Sequence, residues 1–144
     1  MMSTVSPRRS ISRRGAAGMA LRILIPFDTI ALLFAGIVHL TGANIPLGVA
    51  TFVEPPILPA GIVETLGGLL FVWATYALWQ GRASAWAAAM TAHLFSIVGF
   101  VVGLISTRLG TTPFNATYHR VMLAVFVIGV ILLLLPSARS GVAE

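Results

Sequence analysis

Three histidines and four carboxylates make up all the imidazole and carboxylate chemistry of this 144-residue chain, and it has no cysteine. The histidines are His39, His93 and His119, and the acids are Asp28, Glu54, Glu64 and Glu144. Without cysteine there are no disulfides, thiolate metal sites or thiol nucleophiles. No HxxxH or ExxH pair occurs, so the carboxylate-bridged two-metal signature of helical bundles is missing and no metal site is expected. Serine-hydrolase, phosphate-loop and dinucleotide motifs are missing too, so no catalytic residue is assigned and the chain does not read as an enzyme. What histidine and glutamate can do here is hold protons, pair across helices, or ligate haem iron as a bis-histidine pair. No cofactor is expected; the alternative is an electron-transfer membrane protein that binds haem b or a quinone, with His39, His93 and His119 the candidate haem ligands.

The elements that position these side chains are written in the hydropathy. The chain is 58% hydrophobic and 9% charged, with a mean hydropathy of +0.97. A soluble domain carries about 25% charged residues, so the solvent for most of this chain is lipid. Four apolar runs stand out at roughly residues 23–41, 60–79, 84–106 and 118–135. Each is close to the ~20 residues that cross a bilayer as a helix, and none alternates as a membrane strand does. The expected fold is all-α, a four-helix transmembrane bundle spanning residues 19–136. Residues 1–18 read as a disordered basic tail and 137–144 as a second short tail.

All nine basic residues are arginine. With the tail in the cytoplasm, Arg8, Arg9, Arg13, Arg14, Arg22, Arg82 and Arg139 lie inside and only Arg108 and Arg120 outside. The positive-inside rule then puts both termini in the cytoplasm; a bacterial inner membrane is the expected location. The arginines concentrate in a tail without interleaved aromatics, which argues against a nucleic-acid partner. A cleaved export signal in the first 42 residues is the rival reading. Asp28 within the first run and the lack of a small-residue cleavage site speak against it.

In this orientation the polar residues converge. His39 lies near the outer end of the first span, Glu64 a turn inside the second, His119 and Arg120 at the head of the fourth, and Glu54 in the outer loop. His93 marks the lower edge. Ionisable groups in a span face the bundle interior or water, so His39, Glu54, Glu64, His119 and Arg120 form a candidate polar cluster in the outer half. His119 is expected to face inward as the main donor to Glu64, with Arg120 turned to the headgroups and Tyr118 as an interfacial anchor. Asp28 reads most simply as a carboxylate at a helix N-terminus, favoured by the dipole. A proton path from Asp28 to His39 is the alternative.

The third run carries small residues on one face, Ala85, Ala89, Ala92, Ser96, Gly99 and Gly103. Small residues let helix backbones approach closely in lipid, so Ser96, Gly99 and Gly103 should mark a packing seam within the bundle or, failing that, a homo-oligomer face. The loop from Gly42 to Pro59 is apolar yet holds four prolines, which leaves its conformation open between a surface loop and a segment lying over the bundle.

The stretches "ALLFAGIVHL" and "IVETLGGLLFVWATYAL", separated by a Pro/Gly-rich loop, resemble the DoxX-like family of small four-helix membrane proteins over about residues 27–80. The resemblance implies family positions at Glu64, Gly67 and Gly68. It also implies a non-catalytic or accessory role in a membrane redox or envelope complex, with the bilayer and complex subunits as partners. The missing cysteine departs from any thiol-handling relative.

Overall fold

The computed structural model describes residues 15–48, 50–107 and 112–138. Four helices dominate it: α1 (Ala16–Thr41), α2 (Leu58–Trp79), α3 (Ala85–Thr107) and α4 (Pro113–Leu134). All four are long and apolar enough to cross a membrane, which makes this a small multi-pass membrane protein by length and composition. The basic tail up to Arg14, Arg108, and the end from Arg139 onward lie outside the described residues, so the arginine bias itself has no structural counterpart here.

Two helices begin earlier than hydropathy alone suggests. α1 starts at Ala16 rather than near residue 23, taking in Arg22. α4 starts at Pro113 rather than near 118. There Thr112 is the N-cap, its hydroxyl accepting from the Asn115 backbone N–H, and Pro113 fills the first helical position, where its missing N–H costs nothing.

The helices pack in sequence order, α1 on α2, α2 on α3 and α3 on α4, and α4 closes the ring against α1 over a smaller surface. Close approach of α1 and α2 rests on glycine. A Cβ on Gly36 would meet the Thr65 hydroxyl at 2.5 Å, and one on Gly61 would meet Leu40 at 2.8 Å. In lipid such contacts replace the hydrophobic drive between helices. The outward face of α1 carries Ile23, Phe27, Ile30, Phe34 and Ile37, each at least half exposed, a stripe suited to acyl chains.

The loop between α1 and α2 is an antiparallel hairpin, β1 (Ala43–Pro46) with β2 (Thr51–Glu54), paired from Ala43↔Glu54 to Pro46↔Thr51. The bundle is thus all-α only in its spans. Strand alternation governs this pair: Thr51 and Val53 point out, while Phe52 and the buried Glu54 point in. Gly42 (φ 75°) turns the chain out of α1, and the Ile57 N–H donates to the His39 carbonyl as it returns. Phe52 meets Phe114 edge-on at 4.8 Å, laying the hairpin over the start of α4. We refer below to the hairpin end and to the opposite, termini end.

Candidate functional site

Four elements send one polar side chain each to the hairpin end of the bundle: His39 from α1, Glu54 from β2, Glu64 from α2 and Asn115 from α4. All are at most 3% exposed. The cap at Thr112 is what aims Asn115. With α4 starting at Pro113, Asn115 lies one turn before His119 on the same inward face.

These side chains form one hydrogen-bonded chain. His39 Nδ1 lies 2.5 Å from Glu64 Oε2, and its Nε2 lies 2.8 Å from Asn115 Nδ2. Asn115 Nδ2 also donates to Glu54 Oε1 at 3.2 Å, and the Thr112 hydroxyl donates to Glu54 Oε2 at 3.0 Å. One proton assignment satisfies every contact. Carboxylate oxygens accept, so His39 carries its proton on Nδ1 and donates to Glu64. The two amide hydrogens of Asn115 go to His39 Nε2 and Glu54 Oε1. His39 is thereby locked in ring orientation and tautomer, its two nitrogens each committed.

Two acceptors in this chain have no hydrogen bond of normal geometry, Glu64 Oε1 and Asn115 Oδ1, with the Tyr118 hydroxyl the protein donor within electrostatic reach of Glu64. Both residues line a cavity of about 180 Å³ between α2, α3 and α4. His119 lines it as well. Its Nδ1 donates to the Asn115 carbonyl at 2.9 Å, so Nε2 is the remaining nitrogen, and it faces Gly103. The rest of the wall is apolar or small, including Ala60, Val63, Gly99 and Phe100, and the exposed Val102 lies at its rim. A Cβ on Gly103 would stand 2.5 Å from His119 Nε2, and one on Gly99 the same distance from Val63. The glycines of α3 therefore make room for the cavity and for their neighbours on α2 and α4. Ser96, Gly99 and Gly103 face the interior of this bundle, with Ser96 Oγ 3.1 Å from the Cβ position of Gly67.

A second recess of about 260 Å³ lies on the other side of the cluster, between α1, α4 and the hairpin. Phe27, Phe34, Phe52, Phe114 and Tyr118 line it. His39, Glu54 and Asn115 border it too, beside the bonds that Asn115 Nδ2 makes to His39 and Glu54.

Against the residues singled out in the sequence, the structure brings His39, Glu54 and Glu64 into one network and sets His119 in the same cavity. The donor to Glu64 is His39; His119 bonds its own helix instead, its ring centred 6.4 Å from that of His39. Arg120 is exposed and outside the cluster. Tyr118 packs into the bundle, 5.6 Å from Phe100 and 6.5 Å from His39, rather than anchoring at a surface. Asp28 lies midway along α1, not at its N-terminus, because α1 begins at Ala16. It faces His93 at 3.5 Å, and both are fully buried.

Haem fits poorly between these histidines. His39 has no uncommitted ring nitrogen, His93 is engaged at Ala89 and Asp28, and a 180 Å³ space suits one six-membered ring rather than a macrocycle. Sequence reading missed Asn115 and Thr112. The signal was present as "TPFN", a capping residue followed by proline, which starts the helix early enough to put Asn115 one turn from His119.

No family model, curated protein or solved structure matches this chain.

Proposed function

We propose that this protein is a small, non-catalytic subunit of DoxX-like type in a bacterial inner membrane, with both termini cytoplasmic, and that its outer end holds the ring of a reduced quinol for a membrane redox complex. The observation that carries this reading is a cavity sized for one ring, bordered by Glu64 and Asn115, whose Oε1 and Oδ1 are buried without a hydrogen bond of normal geometry. A buried acceptor without a donor costs about 1–3 kcal/mol. A ligand that donates therefore gains more here than one that only accepts. A quinol brings hydroxyl donors on a flat apolar ring, whereas the oxidised quinone offers only carbonyl acceptors. The apolar walls suit the ring, and the rim at Val102 gives an isoprenoid tail a way into lipid.

The test is calorimetric titration of the detergent-purified protein with a short-chain benzoquinol under reducing conditions, and separately with its quinone. The quinol should bind about tenfold or more tighter, a difference of about 1.4 kcal/mol. Gly103→Leu should abolish binding by filling the cavity. Equal or tighter binding of the quinone would refute the donor-ligand reading. Orientation is tested separately: Leu47→Cys at the hairpin tip should react with an impermeant thiol reagent applied outside cells, and Gln80→Cys should be shielded.

A further inference from the structure

The Asp28–His93 pair lies outside the site just described and has its own chemistry. His93 Nδ1 donates to the Ala89 carbonyl at 2.7 Å, one turn earlier on α3, which fixes the proton on that nitrogen. Its Nε2 faces Asp28 Oδ2 at 3.5 Å, and neither Asp28 oxygen nor Nε2 has a hydrogen-bond partner of normal geometry. Both residues are 0% exposed. The surroundings offer little else: α2 presents Phe71, edge-on to the imidazole at 4.8 Å, and α4 presents Phe126 and Gly129. Gly129 sits so close under the ring that a Cβ there would collide with Nε2, which leaves His93 no room to turn away. Tyr118 of α4 is a further titratable group within electrostatic reach of Asp28, and of Glu64 as well.

With Nδ1 already protonated, a bare Nε2 opposite an ionised Asp28 would set one lone pair against another and leave a net charge buried in the middle of the membrane. Either arrangement is expensive in such surroundings. One further proton removes both problems, on Nε2 as an imidazolium–carboxylate pair or on Asp28 as an acid beside a neutral imidazole. We propose that Asp28 and His93 form a proton-binding site at mid-bundle that holds one dissociable proton between them, and that this proton is exchanged with the hairpin end.

Direction follows from the neighbouring turns. Ser96, one turn above His93 on α3, has a buried hydroxyl without a partner, and so does Tyr118 on α4. Glu64 Oε1 and the cavity come next. Toward the termini the fully buried side chains are apolar (Leu21, Ile25, Leu78, Ala85, Ala89 and Leu133), and the polar groups there, Arg22 and the hydrogen-bonded Thr29–Thr75 pair, are only part-buried. This reading does not depend on the ligand at the hairpin end.

The test uses the full chain in liposomes, with 15N-labelled histidine for NMR and infrared spectroscopy of protonated carboxyls, at neutral pH. The account predicts one extra proton: either His93 is doubly protonated, or a protonated-carboxyl band appears that Asp28→Asn removes. If His93 is singly protonated and no such band exists, or if both groups carry the proton at once, the site is refuted. For the route, exchange of that proton with D₂O should slow about tenfold or more in Ser96→Ala/Tyr118→Phe. An unchanged exchange rate in a variant whose His93 spectrum is native would overturn the path from the hairpin end.

Discussion

The two ends of this bundle solve the same packing problem with different materials. At the termini end the helices meet through Leu21, Ile25, Leu78, Ala85, Ala89 and Leu133, all 1% exposed or less, with cross-helix bonds that include Trp86 Nε1 to the Leu133 carbonyl and Thr29 to Thr75. At the hairpin end they meet through His39, Glu54, Glu64 and Asn115, with cavities on two sides. Aliphatic contacts are individually weak and non-directional, so an apolar half adjusts to small changes in shape. A buried polar network is directional and depends on every member being satisfied. The contrast also bears on function. Stability alone does not require a carboxylate beneath a hairpin, and replacing a buried polar set by apolar residues is often neutral or stabilising.

The comparison breaks most visibly at His39. His39→Leu removes the donor and strands Glu64 in the bundle, at an expected cost of about 3–5 kcal/mol in unfolding from mild detergent. His39→Leu with Glu64→Leu should recover a large part of that loss, because an absent carboxylate is better than an unpaired one. Losses that simply add would mean the two residues are uncoupled, contrary to the geometry.

Cavity and packing effects come next. Gly103→Leu should cost about 1–3 kcal/mol, since the new side chain must displace the His119 ring. A melting temperature equal to wild type would show that the interior of α3 is looser than these contacts describe. In the apolar half, Leu78→Met and Leu133→Met conserve volume and should each cost less than about 1.5 kcal/mol. A larger loss there would erase the distinction between the two ends.

Smallest of all is Arg120→Leu. Its side chain is exposed beside the inward His119, and the change should fall within about 0.5 kcal/mol. A loss comparable to that of His39→Leu would bring Arg120 into the cluster after all.

How much of this could be read from the chain follows from which forces set each feature. Four spans were legible because about 20 consecutive apolar residues have few alternatives to a membrane helix. The gathering of His39, Glu54 and Glu64 was legible as depth, since the number of residues along a helix fixes height in the bundle. Which residue bonds which was not. That depends on helix rotation, and rotation is set by the glycine contacts of Gly36, Gly61 and Gly68 across α1 and α2. His119 could not be told from His39 as the Glu64 donor on depth alone. The hairpin was hidden by four prolines, which argued against a regular helix and left the loop's conformation open, although Phe52 and Glu54 keep strand alternation. Asp28 was misplaced because the polar Arg22 seemed to end the apolar run, whereas α1 continues through it to Ala16.

The claim that the hairpin end receives a donor-bearing ring in the glycine-walled cavity is tested most directly by photo-crosslinking. A short-chain benzoquinol bearing a diazirine beside the ring would be irradiated with the protein in liposomes, and the labelled residues located by mass spectrometry. The account predicts label on Val63, Gly99, Phe100 or Val102, lost in Gly103→Leu. Label confined to Phe34, Phe52 or Phe114 would place the ligand in the aromatic recess and would contradict it.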